Sequence, residues 1–170
     1  MKTIDLETYE RVIKDAGLKP KFRRELRPKF GLTGENWDEI EFVPITDRSG
    51  NRGILWVEID GDAHILPFEL SRGIVDKSTG RAKPVVCDLC YTQQIGTNAA
   101  RITIIMPKPI GTSRGLLVCA DLACSAHVRG KTMAGIKSKA QLRETISIEA
   151  KVDRLQKHLR ELIASLENKV

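Results

Sequence analysis

No run of apolar residues in this 170-residue chain approaches the ~20 that a helical membrane span requires. The start, Met1-Lys2-Thr3-Ile4-Asp5-Leu6-Glu7, carries acids where a secretory leader would need a continuous apolar stretch. The expectation is therefore a cytoplasmic protein with no membrane partner. Aromatic residues are scarce at 5%, and every ring from Tyr9 to Tyr91 stands before residue 92. The C-terminal half has no ring on which a base could stack, which argues against a reader of single strands but leaves phosphate contacts open. The histidines are only three, His64, His127 and His158, and none has a nucleophile or paired carboxylate beside it in the sequence. That composition reads as non-enzymatic. Internal repeats and low-complexity segments are absent, and shares of 41% hydrophobic and 29% charged residues suit an ordinary globular chain.

Cysteine is scarce too, with four in all, yet these fall into two close pairs: Cys87-Asp88-Leu89-Cys90 and Cys119-Ala120-Asp121-Leu122-Ala123-Cys124. In a reducing compartment such pairs favour metal over disulfide. Two pairs at this separation read as one tetrahedral site with four thiolate ligands, filling the coordination sphere of a single structural Zn²⁺. A closed site leaves no position for a reactive water. A thioredoxin-like CxxC would open a helix, whereas Pro84-Val85-Val86 precedes Cys87. A zinc deaminase would need a His-x-Glu motif upstream, and none exists. The second pair ends a strand and enters a helix, the treble-clef arrangement, and its four-residue gap requires a bulged turn. His127 is read as a histidine on the surface of that helix rather than as a ligand.

Charge of +6 is unevenly placed. From Lys19 to Lys29 six cations face Glu25 alone, and from Arg129 to Arg160 nine face Glu144, Glu149 and Asp153, so the remainder is net acidic. Two readings stay open: solvated helix faces, or surfaces for an anionic partner.

The periodicity predicts a short helix over Thr3 to Ala16, closed by Gly17, then a basic stretch with one or two helical turns. From Glu39 the period becomes two. A first strand falls near Glu41–Thr46, where Pro44 marks an edge or a bulge. A second spans Ile54–Ile59, and Asp60-Gly61-Asp62 turns it into Ala63–Leu66. Gly73 to Lys83 reads as loop, and strands follow at Arg101–Met106 and Gly115–Cys119. From about Lys139 to Glu167, Ile148, Val152, Leu155, Leu159, Leu162 and Leu166 form a narrow apolar stripe. Too few heptads are present for a coiled coil, so this helix should pack back on its own domain in a monomer. The fold class expected is α+β: an antiparallel sheet with a four-cysteine treble clef and flanking helices. It divides into an N-terminal helix and basic segment, 1–36, and a zinc-binding domain, 37–170.

The run Val118-Cys119-Ala120-Asp121-Leu122-Ala123-Cys124-Ser125-Ala126-His127-Val128-Arg129-Gly130-Lys131, with the upstream Cys87-Asp88-Leu89-Cys90, resembles the treble-clef zinc finger of elongation factor G-binding proteins. That family includes the FusB-type fusidic acid resistance proteins and their actinobacterial FBP-domain relatives. The resemblance implies that Cys87, Cys90, Cys119 and Cys124 hold zinc. It further implies binding to elongation factor G and release of the factor from the ribosome, with no bond made or broken. FusB-type proteins also carry an N-terminal helical bundle. About 35 residues before the first strand are too few for such a bundle of helices of ~10–14 residues each, so the resemblance is to the zinc domain.

The partner surface is placed on Arg129, Lys131, Lys137, Lys139 and Arg143, the basic segment leaving the zinc site. Anchoring at a closed metal site lowers its ordering cost on binding. The Lys19–Lys29 stretch is the competing surface. The alternative function is a small basic protein that binds ribosomal RNA.

Overall fold

The computed structural model describes residues 4–28, 36–75, 78–80, 84–94, 98–107, 111–133 and 144–167. Helix α1, Leu6–Asp15, begins where Asp5 accepts a hydrogen bond from the Thr8 N–H at 2.7 Å, an N-cap that satisfies one orphan donor. Helix α2, Pro20–Glu25, starts on a proline at its first position. Strands β1, Arg27–Pro28, β2, Phe42–Thr46, β3, Arg52–Ile59, and β4, Asp62–Arg72, follow, with a 3₁₀ turn over Trp37–Glu39. Next come β5, Val85–Val86, β6, Gln93–Gln94, β7, Ala99–Ile105, β8, Ser113–Cys119, α3, Cys124–Val128, and α4, Ile148–Glu167. Six strands form an antiparallel sheet in the order β1-β2-β3-β4-β7-β8, and β5 with β6 makes a separate two-stranded ribbon. The α+β class is as expected.

Several elements differ from the sequence reading. Strand β4 runs on past Leu66 to Arg72, because its register against β3 continues through Pro67 opposite Ile54 to Glu69 opposite Arg52. Pro44 pairs with Leu55 on β3, while β1 covers only Ile45 and Thr46, so among the described residues its other side has no strand. That is where a missing N–H costs nothing. The tight turn between β3 and β4 has Asp60 and Gly61 at φ of 54° and 93°, as a two-residue hairpin requires. The last helix starts later than expected. Residues 144–147 are not helical, and the Ser147 hydroxyl accepts from the Ala150 N–H at 3.2 Å to cap α4. Residues 139–143 lie outside the described set. Ile148 is half-exposed rather than part of the buried stripe, and Ile163 joins the buried Leu155, Leu159, Leu162 and Leu166.

The chain divides into two compact units. The first comprises Met1–Glu69, Thr103–Arg114 and Ile163–Val170. In it Ile4, Ile13, Leu26 and Trp37 are buried with Val43, Ile45, Ile54 and Trp56 of the sheet. Tyr9 stacks on Trp56 with ring centroids 6.5 Å apart. Leu6, at the start of α1, is exposed. The second unit comprises Leu70–Ile102 and Gly115–Leu162 and holds all four cysteines.

Candidate metal centre

Strands β5 and β6 are paired Val85 to Gln94 and Val86 to Gln93, so the first cysteine pair sits in the loop of this ribbon. The Cys90 N–H points at the Cys87 sulfur, 3.5 Å away, and the Tyr91 N–H donates to the Cys87 carbonyl at 2.9 Å. Tyr91 has φ of 60°, the left-handed conformation that reverses the chain after the second cysteine. Asp88 fastens this loop to β8. Its N–H donates to the Leu117 carbonyl at 2.8 Å, and its carboxylate accepts from the Leu117 N–H at 2.6 Å.

Cys119 is the last residue of β8 and Cys124 the first of α3. The four-residue gap holds the turn it needs: Leu122 has φ of 56°, and the Asp121 carboxylate accepts from the Ala123 N–H at 3.1 Å.

The structure brings the four sulfurs within 4.8 Å of one another, all buried. Cys87 and Cys124 are 3.8 Å apart and Cys90 and Cys119 are 3.5 Å apart. A disulfide would need ~2.0 Å. Zn–S bonds of ~2.3 Å in a tetrahedron put sulfurs ~3.8 Å apart, so the residues fit the ion. The crowded thiols also perturb one another. Hydrogen bonds from Cys119, Cys124 and Cys90 pull the Cys87 thiol well below its ordinary range. Contacts with Cys119, Cys87 and Cys90, together with burial, push Cys124 well above it. Cys119 is drawn down by Cys124 but raised more by Cys87, Cys90 and burial. A divalent cation ligated by the four sulfurs would relieve that crowding.

A buried polar group backs Cys119, and the sequence reading did not identify it. The Gln94 side-chain amide donates to the Cys119 sulfur at 3.2 Å. His127 is 3% exposed, which corrects its assignment to the helix surface. Its Nε2 lies 3.2 Å from the Asp121 carboxylate and its Nδ1 faces the Thr132 hydroxyl. The carboxylate assigns the proton to Nε2. Burial raises the Asp121 carboxyl, but hydrogen bonds from His127 and the Ala123 N–H outweigh it, and the net direction is down. Cys119, Asp121 and His127 also come within 4.8 Å as a second potential donor group. Since both His127 nitrogens are engaged by Asp121 and Thr132, the ring serves as support beside the four thiols. Its spacing three residues after Cys124 was a usable signal for a shared helix face. Gln94 had none.

Helix α4 meets the first pair of cysteines from another side. His158 Nδ1 donates to the Leu89 carbonyl at 2.9 Å and its ring stacks on Tyr91, with centroids 5.0 Å apart. The Arg154 guanidinium lies 4.4 Å from the centre of the same ring and is held by two 2.8 Å bonds to Glu144. Those bonds lower the Glu144 carboxyl.

Gln94→Leu removes the amide donor to Cys119 at nearly equal volume. Loss of such outer partners lowers metal affinity by about 10–100-fold. Competition with a chromogenic chelator should read a shift of that size, and an unchanged zinc constant would show the N–H···S contact to be incidental.

Of the residues expected to bind a partner, Arg129 donates to the Ser125 carbonyl at 2.9 Å, closing the last turn of α3. Lys131 is exposed just beyond it. Lys137, Lys139 and Arg143 lie outside the described residues. Among the described residues no helix is long and apolar enough to cross a membrane.

A family model described as the FBP C-terminal treble-clef zinc-finger matches residues 24–166. No curated protein and no solved structure matches the chain.

Proposed function

The chain belongs to the FBP C-terminal treble-clef zinc-finger family, and from that membership we propose that it is a zinc-stabilised binding protein for translation elongation factor G that promotes release of the factor from the ribosome. The observation that carries this reading is the family match over residues 24–166, which takes in the whole four-thiol site. One zinc per chain fixes the loop after β5 and the start of α3, and so presents the segment after Arg129 from a rigid base. Work of this kind is done by binding, so the chain makes and breaks no bonds.

Electrostatic steering supplies much of the association rate for a basic segment of this kind. Arg129 is already engaged by the α3 carbonyl, so the test uses Lys131→Glu with Lys137→Glu. Affinity for purified elongation factor G should fall about tenfold, equivalent to ~1.4 kcal/mol, and the loss should shrink at high salt. Unchanged binding with an intact near-ultraviolet spectrum would place the contact elsewhere.

A second reading, contact with ribosomal RNA, is favoured by Tyr91. The residue is 44% exposed and its ring lies against Arg154, so the zinc unit does have a partly exposed aromatic residue beside an arginine. The aromatic-free C-terminal sequence had suggested otherwise. Pull-down from lysate with and without nuclease separates the two readings. Elongation factor G retained after nuclease supports the first, and capture that depends on RNA supports the second.

A further inference from the structure

A shallow groove of about 530 Å³ runs between α1 and α2 in the first unit. Its apolar residues are Tyr9, Ile13 and Pro20, and its cations are Lys14, Arg23 and Arg24, with Glu10 the one acid. We propose that this groove docks an acidic peptide segment of a partner protein, one that sets an apolar side chain among its carboxylates.

The groove is a built feature rather than a chance dip. Arg23 donates to the Lys14 carbonyl at 3.5 Å, tying α2 to the end of α1. Arg27 donates to the Arg24 and Leu26 carbonyls, both at 2.9 Å, and holds the end of α2. Underneath, Ile13 is buried in the first unit's core and Tyr9 stacks on Trp56. Docking on a surface already ordered in this way loses little conformational freedom.

Charge selects the occupant. Glu25, the acid of α2, is drawn off to Arg52 at 3.2 Å, which leaves Lys14, Arg23 and Arg24 against Glu10 at the groove. Guanidinium pairs bind carboxylates bidentately. The mixed lining favours a peptide over a nucleic acid: a peptide brings aliphatic side chains for the apolar residues Ile13 and Pro20, which a phosphate backbone lacks. None of the undescribed stretches among these 170 residues carries an acidic run that would suit the groove. The groove spans residues 9–24 and the family match begins at 24, so this surface is additional to the zinc-finger contact proposed above.

The test is fluorescence anisotropy on the full chain with a short labelled peptide of aspartates and glutamates around one leucine. Its counterpart with amides in place of the acids, and labelled polyuridine RNA, serve as comparisons. The acidic peptide should bind, the amide peptide should bind at least about tenfold more weakly, and Arg23→Glu with Arg24→Glu should cost at least as much. Arg48→Glu with Arg101→Glu, the same charge change at exposed sites elsewhere, should have little effect. If the reversal disturbs the fold, Arg23→Gln with Arg24→Gln tests the same point. Equal loss in the Arg48/Arg101 control, tighter binding of the RNA, or no binding of the acidic peptide would each overturn the proposal. The elongation factor G assay on Lys131 and Lys137 reads independently of all three.

Discussion

Cys119→Ser is expected to abolish zinc binding and to leave the second unit without fixed side-chain packing. Cys119 is fully buried, 3.5 Å from the Cys90 sulfur, and receives the Gln94 amide. A serine hydroxyl there would not ionise readily or bind zinc as a thiolate does. Structural zinc contributes about 10–16 kcal/mol in small zinc domains, as large as the whole stability of a typical domain at about 5–15 kcal/mol. Treating the unaltered protein with a strong chelator should give the same result, and protein purified without added metal should carry one zinc per chain. Near-ultraviolet circular dichroism and a melting curve check both. A chain whose melting curve is unchanged without metal would show that the four thiols pack as ordinary core.

The second large effect is expected at Gly53. This residue sits in β3 opposite Thr46 of β2 and Phe68 of β4. A Cβ there would lie 2.3 Å from the Ile45 carbonyl oxygen and 3.0 Å from the Phe68 ring. The nearest atom is backbone in the middle of a sheet, so no rotamer change relieves the clash, and a strand must shift. Overpacking of this kind costs about 1–3 kcal/mol, and Gly53→Ala should lower Tm by roughly 3–10 °C. Gly61→Ala is the comparison. Its site is open, with nothing within 4 Å, and carries only the strain of φ at +93°. A smaller loss at Gly53 than at Gly61 would contradict the steric account.

The cysteine site was readable from spacing because metal binding demands proximity whatever the surrounding fold. Strands β2, β3, β7 and β8 were readable because their period of two coincides with flanking turn residues such as Asp60-Gly61. What was not readable depends on tertiary partners. The length of β4 follows from its register against β3, which carries it through Pro67. The start of α4 follows from Ser147, whose capping role competes with a polar stretch that looks equally helical upstream. His127 looked like a surface residue because nothing in the sequence announces that Asp121 and Thr132 engage its ring. Likewise the contacts of Arg154 and His158 with Tyr91 join residues more than sixty positions apart, beyond any local pattern.

The scarcity of rings also gives the two units separate optical signatures. Both tryptophans, Trp37 and Trp56, are buried in the first unit, and Tyr91 is the one aromatic residue of the second. Tryptophan emission, excited at long wavelength, therefore follows the first unit alone. The thiolate-to-metal absorption of a cobalt-substituted sample follows the second. Recording both during a single denaturant titration asks whether the molecule comes apart in one step or two. Coincident curves mean one cooperative body, and separated midpoints mean that metal loss can melt one half while the tryptophans still report an intact core.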